Sequence, residues 1–302
     1  MRKLDQLSIW LTSFRLKTLP LAISAILVGS ALAYWQQQFH FGIMFFSLLT
    51  ATLLQILSNL ANDYGDALSG ADKHGRIGPE RGIQLGLITL QQLKLALKIN
   101  TVLVIISGLI LLWLSYHSWL SFFGFILLGL LAIIAAITYT VGSKPYGYQG
   151  LGDLSVLVFF GLVSIMGSYY LQTESLKLFL VFPAIGCGLL SVAVLNINNL
   201  RDIDSDRLNH KRTLVVMIGE RAGRHYHVIL LILSLILLSY FSWCYLASVW
   251  SWLFLLVTPL YLQHLYRVLT YQTPKQVPPL LYQMIRIALL TDLLYCIGII
   301  LS

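Results

Sequence analysis

Charged residues are scarce in this chain. Only 11% of its 302 residues are Asp, Glu, Lys or Arg, whereas 58% are hydrophobic. A water-soluble domain has about 25% charged residues and about half apolar ones. No water-soluble core needs this much apolar surface, so the composition excludes a soluble globular protein and indicates that lipid surrounds most of the chain.

Cysteine is also rare. The three cysteines, Cys187, Cys244 and Cys296, lie far apart, each within an apolar run. They form no CxxC pair, and they indicate neither a disulfide framework nor a zinc site. We interpret them as small hydrophobic side chains. The seven histidines show no spacing typical of metal ligands, and His225 and His227 are interpreted as residues of the membrane interface.

Long apolar runs make up most of the chain. Stretches of roughly 17–25 apolar residues are long enough to cross a bilayer as helices. Nine such stretches occur, at about 19–35, 41–61, 99–116, 119–141, 151–171, 178–198, 226–246, 249–269 and 284–301. We therefore predict an all-α integral membrane protein in which residues 1–302 form a single membrane-embedded domain of about nine helices.

Lys and Arg residues collect in alternate connections between these stretches. They precede the first stretch and follow the second, fourth, sixth and eighth, and Lys177 is the exception. By the positive-inside rule, this pattern places the N-terminus in the cytoplasm and the C-terminus on the far side. The net charge of +8 is therefore mostly a signature of topology. It leaves some charge for a phosphate-bearing ligand and does not indicate a nucleic-acid partner.

Six of the twelve acidic residues fall into two short clusters. The first cluster lies at the end of the second apolar stretch. Its polar residues are spaced i, i+3, i+4 and i+7, which places them on one face of a helix. They are Asn59, Asn62, Asp63 and Asp66, and Asp72 follows in the loop.

The second cluster lies at the equivalent position four stretches later. Asn198, Asp202 and Asp206 are spaced i, i+4 and i+8 and share one helix face over two turns. Asp204 is expected to point away from that face. The matching ends of the second and sixth stretches indicate a duplicated four-helix unit, with a ninth helix added to the two copies.

Carboxylates on one helix face repel one another, and ionisable groups at membrane depth are costly. A hard divalent cation offsets this cost, because Mg²⁺ takes carboxylate and amide oxygens and shares its other positions with substrate phosphate. Two such faces across one cavity could hold two or more Mg²⁺ around a diphosphate. The alternative is that each cluster is a solvated helix end, but two matched clusters favour the metal site.

A diphosphate also needs positive charge from the protein. Candidates on the same side as the acidic clusters are Arg76, Arg81, Lys144, Lys211 and Arg212. Taken singly, each is more typical of a topology charge than of a ligand. Lys144 differs, because segment 139–153 is rich in Gly, Pro and Tyr and is predicted to be a structured loop.

The two acidic motifs resemble those of a known family. Residues Asn62–Asp66 and Asn199–Asp206 are similar to the aspartate-rich motifs of the intramembrane aromatic prenyltransferase superfamily, the UbiA type. The similarity runs nearly end to end and includes segments 15–20, 76–82, 139–153 and 196–214. Gly70 stands where the superfamily usually repeats its first-motif aspartate, and Asp72 follows instead. This shifted spacing is typical of the branch that acts on 1,4-dihydroxy-2-naphthoate.

This resemblance implies a fold, a reaction and a set of site residues. Members are nine-helix bundles that use Mg²⁺ to bind a polyprenyl diphosphate. The naphthoate branch attaches the polyprenyl chain with loss of CO₂ and diphosphate, giving demethylmenaquinol, at the cytoplasmic face of the bacterial inner membrane. Expected catalytic residues are Arg81, Tyr139, Lys144, Lys211 and Arg212, and expected Mg²⁺ ligands are Asn59, Asn62, Asp63, Asp66, Asp72, Asn198, Asp202 and Asp206.

Other membrane functions fit part of the sequence. A prenyltransferase for another aromatic acceptor, such as 4-hydroxybenzoate, would share the motifs but is expected to keep the regular aspartate spacing. A cation transporter would place carboxylates near the membrane midplane and not at helix ends. A phospholipid head-group transferase would need an Asp-Gly-x-x-Ala-Arg signature, which this sequence lacks.

Overall fold

The computed structural model describes residues 6–69 and 82–302, and within these ranges it contains helices and no β-strand. Asp72, Arg76 and Arg81 therefore lie outside the described residues. The helices are α1 (Gln6–Phe14), α2 (Leu19–Trp35), α3 (Phe41–Ser69), α4 (Leu90–Leu114), α5 (Trp119–Thr138), α6 (Gly152–Thr173), α7 (Leu178–Leu208), α8 (Leu214–Ile218), α9 (Glu220–Tyr245), α10 (Thr258–Thr270) and α11 (Val277–Ile300).

The predicted all-α membrane class is confirmed. Seven helices of the described chain are long and apolar enough to cross a membrane, and the 17-residue α2 is a shorter apolar helix. The predicted stretch 249–269 is also helical, but it consists of a 3₁₀ segment, Val249–Val257, followed by α10. The protein is therefore a multi-pass membrane protein, and the count of nine spans and the cytoplasmic N-terminus stay predictions.

Helix boundaries follow local sequence signals. The α4 helix begins with a capping box, because the Thr89 hydroxyl accepts from the Gln92 backbone N–H and the Gln92 side chain accepts from the Thr89 N–H. The Ser118 hydroxyl accepts from the Ser121 N–H at the start of α5. Pro20 lies in the first turn of α2, where a missing N–H costs nothing.

Helix α7 lies at the centre of the bundle and α5 at its edge. In an 18-residue apolar stretch of α7, 67% of the residues are buried inside the protein, whereas 6% are buried in the corresponding stretch of α5. The α7 helix packs against α6, α9 and α11, and α2 packs against α3, α6 and α11. At the contact between α6 and α7, a Cβ on Gly161 would lie 2.5 Å from the Ala184 carbonyl oxygen, so a larger residue could not take the place of Gly161. Small residues at such contacts allow membrane helices to approach closely.

Several polar side chains in the interior are paired with one another. The Ser24 hydroxyl on α2 lies 2.6 Å from the Asp292 carboxylate on α11. The ring nitrogens of His227 and His264 lie 3.0 Å apart, and both residues are fully buried. The interpretation of His227 as an interface residue was therefore wrong, because its partner lies on another helix, 37 residues along the chain. Such pairing offsets the cost of burying polar groups among apolar helices.

Candidate active site

The ends of α3, α5 and α7 enclose a polar cavity of about 150 Å³. It contains residues from both acidic motifs and from the loop after α5. Its lining residues are Arg15, Asn62, Asp66, Tyr139, Thr140, Gly147, Tyr148, Leu195, Asn198, Asn199, Asp202, Ser205, Asp206, Asn209, Lys211 and Thr213. The structure thus brings together two sequence motifs that lie more than a hundred residues apart.

The first motif is divided between the cavity and the packing behind it. Asn62 and Asp66 line the cavity. Asn59 does not, because its amide donates to the Phe14 carbonyl oxygen at 3.0 Å and so ties α1 to α3. Asp63 is fully buried, and its Oδ1 accepts from the Arg15 guanidinium at 2.8 Å. Asp63 therefore contacts a lining residue, Arg15, without lining the cavity itself.

The second motif faces the cavity as its helical spacing predicts. Asn198, Asp202 and Asp206 all line it, whereas Asp204 is exposed. Asp202 accepts two hydrogen bonds from Arg201, at 2.8 and 2.5 Å, in a two-point ion pair. Such forked pairs fix the orientation of a carboxylate as well as compensating its charge. Arg201 thereby fixes one carboxylate of the cavity wall.

A very close contact holds the loop after α5 against α3. A Cβ on Gly65 would lie 2.7 Å from the Thr140 carbonyl oxygen, so only glycine fits at this point of α3. Next to it, the Thr140 hydroxyl donates to the Asn62 side-chain oxygen. The contact places Tyr139 and Thr140 in the cavity wall beside the first motif.

Tyr139 is one of two aromatic side chains, with Tyr148, that the same loop presents to the cavity. Its backbone carbonyl accepts from the Gly147 N–H at 3.1 Å, and its ring meets Tyr146 edge to face at 5.3 Å between ring centroids. Burial, and next the negative charge of Asp153, raise the pKa of the Tyr139 phenol well above its ordinary value. Tyr139 is therefore a neutral hydrogen-bond donor with an intact π face.

Asp66 is held from two directions. Its Oδ1 accepts from the Tyr148 hydroxyl at 2.8 Å and from the Lys211 ammonium at 2.9 Å. The Lys211 ammonium also lies 4.6 Å from the centroid of the Tyr148 ring, within cation–π range. One carboxylate oxygen therefore joins the first motif to the loop after α5 and to the segment after α7.

The donor set of this cavity fits Mg²⁺. Carboxylates of Asp66, Asp202 and Asp206 and amides of Asn62 and Asn198 line one cavity, and these are the oxygen ligands that hard cations take. Within residues 6–69 and 82–302, no three acidic, histidine or cysteine side chains stand close enough to hold a metal ion by themselves. Mg²⁺ commonly keeps several waters and shares its coordination with substrate phosphate.

The profile of the UbiA prenyltransferase family matches residues 22–289, a range that contains both acidic motifs and nearly all of the cavity lining. The chain belongs to the UbiA prenyltransferase family. It is 54% identical over 301 residues to 1,4-dihydroxy-2-naphthoate octaprenyltransferase of Escherichia coli (strain K12). That alignment covers 100% of this chain and 98% of the relative.

Solved structures of UbiA homologues share this fold at low sequence identity. The apo structure of a homologue from Aeropyrum pernix K1 matches with a TM-score of 0.69 at 14% identity, covering 94% of this chain and 97% of the other. A homologue from Archaeoglobus fulgidus bound to DMAPP and Mg²⁺ matches with a TM-score of 0.53 at 14% identity, covering 95% and 99%. Helix arrangement is thus kept across the UbiA family where most side chains differ.

A second cavity of this UbiA protein is almost entirely apolar. It has a volume of about 220 Å³ and lies among α2, α3, α4, α5 and α6. On α3 it begins at Leu54, eight residues before Asn62. At 1.5 Å rise per residue, the apolar cavity lies about 12 Å further along the helix from the polar one.

The predicted basic residues occupy different places in the structure. Lys211 lines the polar cavity, whereas Lys144 and Arg212 are exposed and lie outside its lining. Through its backbone N–H, Arg212 donates to the Tyr148 carbonyl oxygen at 3.0 Å. The segment after α7 thus lies alongside the loop after α5, and of its two basic residues Lys211 lines the cavity and Arg212 does not. Arg81 and Asp72 lie outside the described residues.

Sequence reasoning overlooked three site residues. Arg15 and Arg201 were counted as topology charges, and Tyr148 only as part of a structured loop. Their partners, Asp63, Asp202 and Asp66, were all singled out. Only Arg201 lies beside its partner in sequence, and that adjacency could have indicated the pair. The other two contacts span 48 and 82 residues, and nothing local to the sequence shows them.

Proposed function

We propose that this protein transfers a polyprenyl chain from polyprenyl diphosphate to 1,4-dihydroxy-2-naphthoate, giving demethylmenaquinol for menaquinone synthesis. The observation that carries the proposal is the single cavity lined by both acidic motifs, with an apolar cavity further along α3. The end-to-end identity of 54% to the Escherichia coli octaprenyltransferase supports the naphthoate as acceptor and octaprenyl as the tail.

The reaction balances without a further reactant. The allylic C–O bond of the donor breaks, and its electron pair leaves with the diphosphate. The naphthoate ring carbon that bears the carboxylate attacks the allylic cation, forming the new C–C bond. The C–CO₂ bond then breaks, and its electron pair restores the aromatic ring as CO₂ leaves.

The polar cavity supplies the charge that this reaction needs. Asp66, Asp202 and Asp206, with Asn62 and Asn198, would hold Mg²⁺, which neutralises negative charge on the departing diphosphate. Lys211 and Arg15 line the same cavity and add positive charge on that side. Preorganised charge directed at a leaving group is commonly the largest contribution to such catalysis.

Tyr139 and the surrounding apolar helices protect the cation. The neutral Tyr139 ring lines the cavity, and its π face can stabilise positive charge on the allylic carbon. Exclusion of water matters here, because water would capture the cation before the naphthoate does. The close contact between Gly65 and Thr140 packs the loop after α5 against α3 on this side of the cavity.

The apolar cavity is the proposed site for the far part of the polyprenyl tail. Leucine in place of Gly129 would project into it, since Gly129 lines that cavity and a Cβ added there would meet no atom within 4 Å. We expect Gly129→Leu to slow transfer from octaprenyl diphosphate and to spare transfer from dimethylallyl diphosphate, whose tail is too short to reach it. Gly124 is the matched control, because it lies on the same helix, is exposed and is outside the cavity lining. Equal loss with both donors would contradict this placement of the tail.

Product analysis tests the proposed reaction. Purified protein in detergent is incubated with Mg²⁺, octaprenyl diphosphate and either 1,4-dihydroxy-2-naphthoate or 4-hydroxybenzoate, and products are identified by mass spectrometry. We expect the naphthoate product with one CO₂ released per turnover and little reaction with 4-hydroxybenzoate. Efficient prenylation of 4-hydroxybenzoate with its carboxylate retained, and none of the naphthoate, would overturn the proposed acceptor.

The proposed location is the bacterial inner membrane, with the polar cavity facing the cytoplasm. The basic residues of segments 201–224 and 139–144 lie on the same side as the cavity, which supports this orientation. The naphthoate carries a carboxylate and would enter from water, whereas the polyprenyl tail would enter from lipid.

A further inference from the structure

Lys211 connects the two acidic motifs. Its backbone N–H donates to the Asp206 carbonyl oxygen at 2.8 Å, which anchors it to the end of α7. Its side chain reaches across the cavity to Asp66 on α3, with 2.9 Å between Nζ and Oδ1. Lys211 is therefore attached to one motif by its backbone and to the other by its ammonium group.

The ammonium group is largely removed from solvent. The exposed fraction of the Lys211 side chain is 18%, and that of the Asp66 side chain is 6%. The Tyr148 hydroxyl donates to the same Asp66 oxygen at 2.8 Å, and the Tyr148 ring lies beside the ammonium. Charge-assisted contacts of this kind, shielded from water, are stronger than exposed ion pairs.

This arrangement conflicts with the role proposed for Asp66. An Asp66 oxygen that holds an ammonium at 2.9 Å cannot at the same time present that lone pair to a divalent cation. A lysine ammonium and Mg²⁺ next to the same carboxylate would also repel each other. Mg²⁺ bound to this carboxylate would therefore weaken the contact of Lys211 with Asp66 and favour its displacement.

We propose that Lys211 is a replaceable counter-ion, which gives up Asp66 to Mg²⁺ and is then available to the diphosphate; this rests on the proposed function. The lysine stem is flexible, so its ammonium can change partner while its backbone stays bonded to Asp206. The exchange keeps negative charge in the cavity compensated both with and without metal. Without metal, the ammonium compensates Asp66; with metal and donor, it compensates a phosphate oxygen.

The exchange makes metal binding and diphosphate binding cooperative. Metal binding alone has the cost of separating Lys211 from Asp66, and diphosphate offsets this cost by accepting the released ammonium. By linkage, each ligand then raises the affinity for the other by the same factor. The protein would thus favour the metal–diphosphate pair over free metal.

Metal binding by Lys211→Met tests the proposal. Mn²⁺ serves as the probe, and its free concentration is measured by electron paramagnetic resonance with purified protein in detergent. Without diphosphate, we expect Lys211→Met to bind Mn²⁺ about tenfold more tightly than the wild type, within the usual range of such couplings. With Mn²⁺ present, we expect it to bind inorganic diphosphate about tenfold more weakly. A residue with only a structural role would not change the two affinities in opposite directions.

Three further variants complete the experiment. Lys211→Arg keeps the charge and should bind Mn²⁺ like the wild type. Arg207→Met removes an exposed charge from α7, outside the cavity lining, and should leave both affinities unchanged. Unchanged or weaker Mn²⁺ binding by Lys211→Met, together with loss of binding in Asp66→Asn, would overturn the exchange and leave the proposed function intact. Wild-type Mn²⁺ binding by Asp66→Asn would instead overturn the assignment of Asp66 as a metal ligand.

Discussion

Replacing Gly65 by alanine tests whether the contact between α3 and the loop after α5 builds the site. The added Cβ would lie 2.7 Å from the Thr140 carbonyl oxygen and 2.8 Å from the Thr140 Cγ2. Ordinary contacts begin at 3.4 Å, so the loop or the helix must retreat by about 0.7 Å. Since the nearest atom belongs to the backbone, no side-chain rotation can relieve the overlap.

The expected loss of stability follows from this overlap. Overpacking of a close contact costs about 1–3 kcal/mol. Within a helix, alanine is also more favourable than glycine by about 1 kcal/mol, and this gain partly offsets the cost of the overlap. Gly124→Ala is the matched control. Gly124 lies within α5, and a Cβ added there would meet no atom within 4 Å, so this substitution has the gain in helix stability without the overlap. The free energy of unfolding of Gly65→Ala should therefore lie about 1–3 kcal/mol below that of Gly124→Ala.

Activity should fall together with stability. The retreat would weaken the hydrogen bond from Thr140 to Asn62 and move Tyr139, and all three residues line the polar cavity. Misplacement of this size costs about 10–100-fold in turnover. Thermal unfolding in detergent, followed by tryptophan fluorescence, and the rate of naphthoate prenylation measure the two effects. If Gly65→Ala equals Gly124→Ala in both, the contact does not build the site.

The remaining predictions concern the carboxylates, the metal and the topology. Asp206→Asn should lower the turnover number at least about 10²-fold, whereas Asp204→Asn, exposed on the same helix, should stay near the wild type; similar rates for both would refute the helix-face assignment. EDTA should abolish prenylation and added Mg²⁺ should restore it, and activity that persists in EDTA would exclude a required metal. In a variant without Cys244, a cysteine at His210 should react with an impermeant thiol reagent from the cytoplasmic side and one at Lys177 from the other side. Labelling of both from one side would contradict the predicted topology.

The class of fold could be predicted from the sequence, because it depends on composition and on local periodicity. Long apolar runs such as 178–198 predict membrane helices, since the bilayer requires both length and low charge. The face shared by Asn198, Asp202 and Asp206 follows from helix geometry alone, and the structure turns that face into the polar cavity. The metal and catalytic roles of these residues stay predictions.

Helix spacing alone did not separate the two halves of the first motif. Asn62 and Asp66 line the cavity, whereas Asn59 and Asp63 contact the end of α1 and the residue that follows it. One face of a helix is wide enough to touch two neighbours, and the position of the neighbours is a property of packing. The sequence shows which residues share a face, but it does not show what that face meets.

The choice among the basic residues was likewise decided by tertiary structure. Lys144, Lys211 and Arg212 all belong to the same side of the membrane, and sequence reasoning placed Lys144 first because of its structured loop. The structure instead turns Lys211 inward to Asp66 and leaves Lys144 and Arg212 exposed. The charge of a residue and the membrane side of its segment follow from the sequence, because the bilayer acts on each segment separately. The pairing of Lys211 with a carboxylate 145 residues away exists only once α3 and α7 have packed together.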